Sequence, residues 1–205
     1  MRIALIGDSH SQALWPRIRT GLEAAGHTVV LSEANAGWSE ATYLSKGNLA
    51  AKVQAARPDL VVYELGGNNM KMTDADYKGD PTALVSLAKD VGAAVLWFGP
   101  PVSDAIRAAS TATRHETTSN MQKLILPALG VTWVDSRPFT ANSPNHQKDG
   151  VHFDSTGYTN WARAMLPSIL SAPEKLGTGM LWLALGGATA VSALIIYLVK
   201  NKRRK

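Results

Sequence analysis

The sequence predicts an α/β protein in which a parallel sheet of about five strands is covered by helices on both faces, a three-layer α/β/α sandwich. Short apolar runs alternate with longer stretches of helical periodicity, which is typical of parallel strands joined by helical crossovers. The runs are apolar at successive positions, as expected of strands that are buried on both faces. The length of 205 residues suits one such domain with an appendage.

Five apolar runs predict the strands, and most of them end at a glycine, a proline or a polar residue. The predicted strands are residues 3–6, 28–32, 60–63, 93–98 and 131–134. The first run stops at Gly7-Asp8-Ser9, and the third leads directly into a glycine- and asparagine-rich segment at 66–69. Because the carboxyl ends of parallel strands lie at one edge of a sheet, we expect the polar residues that follow these runs to meet there.

Stretches with apolar residues at helical spacing predict the helices that cover the sheet. They are residues 12–25, 48–56, 81–91, part of 104–129, and 158–170. A bend or a fresh start is expected at Pro16, because proline lacks the N–H group that an interior helical position donates. Ser155 is the predicted N-cap of the last helix. The remaining long segments, 33–40, 70–80 and 135–154, are predicted to be irregular.

The net charge of +5 is confined to the C-terminal tail. Residues 200–205 contain five lysine and arginine residues and no acid, which leaves 16 basic and 16 acidic residues in the rest of the chain. A neutral body offers no electrostatic footprint for a phosphate backbone, so no nucleic-acid partner is predicted. The sequence contains no cysteine, which excludes disulfides, thiolate metal sites and cysteine catalysis.

An uncharged apolar run of twenty residues at 180–199 predicts a transmembrane helix. A helix of that length spans about 30 Å, the thickness of the hydrocarbon core of a bilayer. Trp182 and Tyr197 lie near the two ends of the run, where aromatic side chains favour the membrane interface. A buried core helix is the alternative interpretation. The predicted organisation is a domain at 1–170, a linker at 171–179, the membrane helix at 180–199 and a basic tail at 200–205.

The sequence leaves two orientations open for this single-pass membrane anchor. The positive-inside rule keeps the basic tail in the cytoplasm and places the N-terminal domain on the other side. Yet Arg2 is followed by only four apolar residues before Gly7, too few for the apolar core of a signal peptide. A tail anchor would instead leave the domain in the cytoplasm. The sequence predicts a membrane location and contact with the bilayer, and it assigns no oligomeric state.

Polar residues that follow the first three strands, together with the last long loop, form a candidate catalytic site. Ser9 follows the first strand, Gly37 the second and Asn68 the third, while Asp149 and His152 precede the final helix. A serine hydroxyl becomes a nucleophile when a neutral imidazole, held by a carboxylate, takes its proton. The backbone N–H groups of Ser9 and Gly37 and the side-chain amide of Asn68 are candidate donors to a developing oxyanion.

Each of these features also has an ordinary structural interpretation. The tripeptide at 7–9 is common as a turn with a helix cap, Gly37 as a turn residue, and the segment at 66–69 as a strand-exit turn. The aromatic residues considered for the cleft are Trp38, Tyr43 and Tyr77. The histidines interpreted as surface or structural residues are His10, His27, His115 and His146.

The motifs resemble those of the SGNH hydrolases, also called GDSL-type lipases and esterases, and the resemblance covers residues 1–170. Gly7-Asp8-Ser9 is similar to the first block of the family and Gly37 to the glycine of its second. The segment at 66–69 is similar to the Gly-x-Asn-Asp block, except that Asn69 replaces the aspartate, and Asp149-x-x-His152 is similar to the fifth block. The resemblance implies a flavodoxin-like architecture. It also implies a triad and an oxyanion hole formed by Ser9, Asp149, His152, Gly37 and Asn68.

The function that the resemblance implies is hydrolysis or transfer of an acyl ester through an acyl-serine intermediate, without a metal or an organic cofactor. With the predicted anchor, we expect a membrane-anchored serine esterase acting on a small acyl group, such as an O-acetyl group of a cell-wall or surface polysaccharide. Lipase or lysophospholipase activity and thioesterase activity are alternatives on the same fold. A catalytically silent, membrane-tethered binding protein and an assembly or lysis component are alternatives from other classes.

Overall fold

A five-stranded parallel sheet forms the centre of the fold. The computed structural model describes residues 1–141 and 145–172. The strands are β1 (Arg2–Gly7), β2 (Thr28–Ala34), β3 (Leu60–Glu64), β4 (Ala94–Phe98) and β5 (Thr132–Val134). Their order across the sheet is β2-β1-β3-β4-β5, and each strand pairs with its neighbour in parallel. The predicted α/β class and the predicted five parallel strands are therefore confirmed.

Helices cover both faces of the sheet. They are α1 (Ser9–Ala24), α2 (Glu40–Lys46), α3 (Leu49–Ala56), α4 (Asp74–Tyr77), α5 (Gly79–Lys89), α6 (Ala109–Ala128), α7 (Arg137–Thr140) and α8 (Ser155–Leu170). The first and last of the long helices, α1 and α8, pack on one face, while α2, α3, α5 and α6 contribute to the core on the other. The strand order brings β1 and β3 side by side, so the chain ends that follow them are neighbours.

The buried side chains of each strand point alternately to the two faces of the sheet. Ile3 and Leu5 pack with Trp15 and Trp161 in the core under α1 and α8. Ala4 and its alternate neighbour Ile6 belong to the core on the opposite face. Successive side chains of a strand point to opposite faces, so a strand in the middle layer must be apolar at every position. This explains the continuous apolar runs of the sequence.

The helix starts differ from the predictions by small shifts. Helix α1 begins at Ser9, directly after β1, and continues through Pro16 instead of starting afresh there. Its cap is Asp8, whose Oδ1 accepts a hydrogen bond from His10 N at 3.0 Å. The prediction of Ser155 as a cap is wrong by one residue, because Asp154 accepts from Gly157 N at 2.8 Å. Adjacent Asp and Ser are both good caps, so local composition does not distinguish them.

Three short helices were not predicted. Helix α2 begins at the end of a segment predicted to be irregular, and α4 and α7 lie within two others. Helix α2 has seven residues and α4 and α7 have four each, too few to display a helical period in the sequence. Side-chain caps stabilise two of them: Ser39 caps α2 and Thr73 caps α4.

The predicted membrane anchor is not covered by this fold. Within residues 1–141 and 145–172, no helix has both the length and the apolar character needed to cross a bilayer. The apolar run at 180–199, most of the linker and the basic tail lie outside those residues, so the anchor, its boundaries and the membrane location stay predictions.

Candidate active site

Ser9 lies in the first turn of α1, immediately beyond the carboxyl end of β1. Gly7 makes this tight junction possible, because a Cβ at that position would lie 1.8 Å from Ser11 Oγ and 2.8 Å from the Glu64 carbonyl oxygen. The first N–H groups of a helix have no intrahelical acceptor, and the helix dipole makes that end favourable for negative charge. The local fold therefore presents Ser9 where an anionic intermediate is stabilised.

Ser9, His152 and Asp149 form a continuous hydrogen-bonded chain. His152 Nε2 lies 2.9 Å from Ser9 Oγ, and His152 Nδ1 lies 2.7 Å from Asp149 Oδ2. Asp149 Oδ1 also accepts bonds from the backbone N–H groups of Val151 and His152, at 2.9 and 3.0 Å. The loop thus folds around its own carboxylate and presents the imidazole to the serine.

The charge state of Asp149 suits this arrangement. Burial alone would raise its pKa, but the hydrogen bonds from His152 and from the two backbone N–H groups lower the pKa of Asp149 to about 2. The side chain is therefore a carboxylate at neutral pH and accepts from His152 Nδ1–H. With that tautomer, Nε2 is free to accept the hydroxyl proton of Ser9.

Of the three predicted oxyanion donors, Ser9 lies in the first turn of α1, and Gly37 and Asn68 lie on two neighbouring loops. Gly37 has a positive φ of 75°, and the next carbonyl along the chain, that of Trp38, accepts a hydrogen bond from Asn68 Nδ2 at 3.2 Å. The same nitrogen donates to Asp8 Oδ2 at 3.2 Å. Both amide hydrogens of Asn68 thus have protein acceptors, and an oxyanion that uses this donor must compete with the Trp38 carbonyl.

Two buried carboxyl groups lie behind Ser9. Asp8 and Glu64 are fully buried, and Ser11 Oγ donates to Glu64 Oε2 at 2.7 Å. Burial and the neighbouring acid raise the pKa of Glu64 well above its usual range, while burial raises the pKa of Asp8 to about 7. Glu64 Oε1 has no hydrogen-bond partner among the described residues, and a proton on it would let Glu64 donate to Asp8. This pair was not predicted, because Glu64 follows directly on an apolar strand and Asp8 was interpreted as part of a turn motif.

Two cavities share Ser9 and His152 in their walls. The smaller is a pocket of about 130 Å³. It is further lined by Asp8, His10, Gly67, Asn68, Thr111, Arg114, His115, Asp149 and Val151. The larger is an open groove of about 500 Å³ that is further lined by Gln12, Ala13, Ala36, Gln147 and Tyr158. A molecule bound at Ser9 therefore has room in both cavities.

Two of the histidines interpreted as surface or structural residues line the small pocket. His10 is buried, with Nδ1 3.1 Å from the Tyr158 hydroxyl and its ring 5.1 Å from that of His152. Burial lowers the pKa of His10 well below its usual value and that of His115 to about 4. Both are therefore neutral near pH 7, and they add no positive charge beside His152.

The remaining histidines and the aromatic residues considered for the cleft have structural contacts. His27 Nδ1 lies 3.1 Å from the N-terminal nitrogen, and His146 Nε2 lies 3.0 Å from the Val102 carbonyl oxygen. Tyr43 and Tyr77 are buried rather than exposed in a cleft. The Tyr43 hydroxyl donates to the Gly7 carbonyl oxygen at 2.6 Å and so supports the turn before Ser9.

In the part of the chain that the structure describes, no group of three or more His, Asp or Glu side chains is arranged to hold a metal ion.

Arg114 and His115 were not predicted as site residues, because they lie in the middle of a helix and not in a motif. Only the fold brings α6 to the edge of the sheet where β1 and β3 end.

Comparisons with known proteins agree with the fold. The family model described as the GDSL-like lipase/acylhydrolase family matches residues 5–159. A lipase/acylhydrolase from Enterococcus faecalis is 21% identical, with a TM-score of 0.67 over 82% of this chain and 95% of its own. A carbohydrate acetylesterase family member from Sinorhizobium meliloti is 20% identical, with a TM-score of 0.65 over 82% of this chain and 97% of its own.

A third similar structure is a catalytic mutant of Axe2, an acetylxylan esterase from Geobacillus stearothermophilus. It is 16% identical, with a TM-score of 0.68 over 82% of this chain and 93% of its own. Comparison with curated proteins finds no match. The solved structures show the shared fold, and the family model covers most of the chain. The chain belongs to the GDSL-like lipase/acylhydrolase (SGNH) family and is an ester hydrolase.

Proposed function

We propose that this ester hydrolase is a serine esterase that removes a small acyl group, with Ser9 as nucleophile, His152 as general base and Asp149 as the group that orients the base. The observation that supports the proposal most strongly is the unbroken chain of hydrogen bonds from Ser9 Oγ through both ring nitrogens of His152 to Asp149. It lies at a helix N-terminus, beside two cavities.

In the first step, Ser9 Oγ attacks the ester carbonyl carbon while its proton passes to His152 Nε2 across the 2.9 Å hydrogen bond. The imidazolium formed is stabilised by Asp149 at Nδ1. The N–H groups of Ser9 and Gly37 and the Asn68 amide stabilise the oxyanion, and the carbonyl oxygen of the substrate replaces Trp38 as the acceptor for Asn68.

In the second step the tetrahedral intermediate collapses. His152 gives its proton to the departing alcohol, the ester C–O bond breaks, and the acyl group remains on Ser9. A water molecule then loses a proton to His152 and attacks the acyl-serine, which releases the acid and regenerates the serine hydroxyl. If a second alcohol takes the place of water, the same site transfers the acyl group instead.

The two cavities favour a short acyl group and a larger alcohol. The pocket of about 130 Å³ is much the smaller of the two, which suits a small acyl group such as acetyl. The open groove of about 500 Å³ suits a sugar. Two similar structures are described as a carbohydrate acetylesterase and an acetylxylan esterase. We therefore propose an O-acetylated polysaccharide as substrate, in the cell wall or at the cell surface.

We further propose that the chain is held at a membrane through residues 180–199. The support is the uncharged apolar run and the cationic segment that follows it. An anchored esterase would act on substrates within reach of the linker, which is compatible with a surface polysaccharide.

The test measures hydrolysis of 4-nitrophenyl acetate, butyrate and octanoate, and labelling by a fluorophosphonate probe, for the full chain and for Ser9→Ala. We expect kcat/KM to fall with acyl length, and we expect Ser9→Ala to lose both turnover and labelling. Gln12→Ala, which changes the open groove and not the triad, is the matched control and should still be labelled. A wild-type chain that neither turns over nor reacts with the probe would identify a catalytically silent protein, and preference for octanoate would favour a lipase.

A further inference from the structure

One cationic side chain in the wall of the small pocket has no acidic partner. Arg114 of α6 is half-buried and lines the pocket together with Ser9 and Asn68. Within residues 1–141 and 145–172 it forms no ion pair with an Asp or Glu side chain, although four other Lys and Arg residues do. A cation that the protein leaves uncompensated at a substrate pocket is available to a ligand.

The guanidinium group is nevertheless held in place. Its Nε donates to the Gly67 carbonyl oxygen at 3.0 Å, and its Nη2 donates to Thr111 Oγ1 at 3.3 Å. Its Nη1 is 3.8 Å from Met70 Sδ, which is a weak acceptor. The bonds from Nε and Nη2 fix the orientation of the guanidinium group. Nη1 has no protein oxygen as acceptor in the described chain.

The acids that share the pocket do not compete for this cation. Asp149 directs Oδ2 to His152 Nδ1 and Oδ1 to two backbone N–H groups. Asp8 is fully buried, accepting from His10 N and from Asn68. A carboxylate of a bound molecule would thus find the guanidinium free of internal anions.

We propose that Arg114 binds a carboxylate group of the substrate beside the scissile ester, so that the preferred substrates are acidic esters. This rests on the proposed function, since it specifies the substrate of the Ser9 site. Guanidinium groups bind carboxylates through paired, charge-assisted hydrogen bonds. With the acyl group in the small pocket, as proposed above, the carboxylate belongs to the acyl group, as in the half-ester of a dicarboxylic acid. With the ester bound in the reverse orientation, it belongs to the alcohol, as in an O-acetylated acidic sugar.

Two matched pairs of esters distinguish these sources. For the acyl side, mono-4-nitrophenyl succinate is compared with its neutral methyl ester. For the alcohol side, 4-acetoxybenzoate is compared with methyl 4-acetoxybenzoate. Within each pair the ratio of kcat/KM is measured for wild type, Arg114→Gln and Arg114→Lys, so that differences in intrinsic reactivity cancel between the proteins. Lys123→Gln removes an exposed charge from the same helix outside the pocket and serves as the control.

In at least one pair, we expect Arg114→Gln to lower kcat/KM for the acidic ester by about 10–100-fold, the usual effect of a hydrogen bond to a charged group. The neutral ester should change much less, Arg114→Lys should keep part of the preference, and Lys123→Gln should keep all of it. Added salt should reduce the wild-type preference, because ions screen the attraction.

A purely structural role of Arg114 predicts a different result. Arg114 also supports the loop before Asn68 through the Gly67 carbonyl, and a purely structural role would lower turnover of acidic and neutral esters by the same factor. Equal losses in both pairs, with the wild type active on the neutral esters, would overturn the inference and leave the proposed function intact. A wild type that hydrolyses no ester would overturn both.

Discussion

The buried pair of Asp8 and Glu64, next to Ser9, predicts an unusual dependence of stability on pH. Burial raises the pKa of Asp8 from 3.8 to about 7, and burial with the adjacent Asp8 raises that of Glu64 well above its usual range. Between about pH 4 and pH 7 the native pair thus holds protons that the unfolded chain has released. The contribution of the pair to the free energy of unfolding is complete below pH 4 and is lost as the pH rises through 7.

Replacing Glu64 with Gln removes one of these acids and keeps a neutral group that can donate to Asp8. The slope for one proton is about 1.4 kcal/mol per pH unit, and the two carboxyl groups share their protons. We therefore expect the stability of Glu64→Gln to rise relative to wild type by about 1–3 kcal/mol between pH 5 and pH 7.

The assay is urea unfolding followed by tryptophan fluorescence at several pH values, with all proteins in the same mild detergent. Only the difference in the free energy of unfolding between variant and wild type is interpreted. The lowered pKa values of His10 and His115 make the native state gain stability as the pH rises, and this opposite effect is common to both proteins. Glu23→Gln, at an exposed position of α1, is the matched control. A difference between Glu64→Gln and wild type that does not vary with pH would refute the reasoning.

Three further predictions follow from the site and the chain. Asn68→Ala should lower kcat by about 10²–10³ and leave KM nearly unchanged, and steady-state kinetics on 4-nitrophenyl acetate would contradict this if only KM moved. Asp149→Asn should lower kcat by up to ~10⁴, because it removes the charge and favours the wrong tautomer of His152; retained turnover would show that Asp149 is dispensable. A chain that ends at Ala172 should be soluble and as active as the full chain, because every proposed site residue precedes that position. Sedimentation tests its solubility and kcat/KM its activity. Aggregation of the shortened chain would indicate that residues 180–199 belong to the core.

The strands were predictable because burial on both faces imposes an unbroken apolar run. Each predicted strand agrees with the observed one to within two residues at either end. The burial of Glu64 was not predicted, since glutamate is a charged residue type and it occupies the last position of the buried strand β3. Its carboxyl group accepts a hydrogen bond from Ser11, and burial raises its pKa well above the usual range; no pattern of residue types reveals such a shift.

The site was predictable only where its residues follow strands or form a short motif. Ser9 and Asn68 follow paired strands, so their proximity is a consequence of sheet topology, and Asp149 with His152 is a local loop. The wall of the small pocket was not predictable in this way, because Arg114 and its neighbour His115 come from a helix far along the chain. Their positions depend on how α6 packs, which the sequence pattern alone does not determine.

The packing of α8 against α1 has a consequence for how this protein is made. Ser9 and His152 are 143 positions apart in the chain, so a ribosome synthesises the proposed nucleophile first and its proposed base almost at the end of the domain. Until that last loop emerges and α8 closes over Trp15, the serine is an ordinary hydroxyl. Under the proposed mechanism, a chain that stops before His152 does not hydrolyse esters, and hydrolytic activity shows that synthesis and folding have reached that loop.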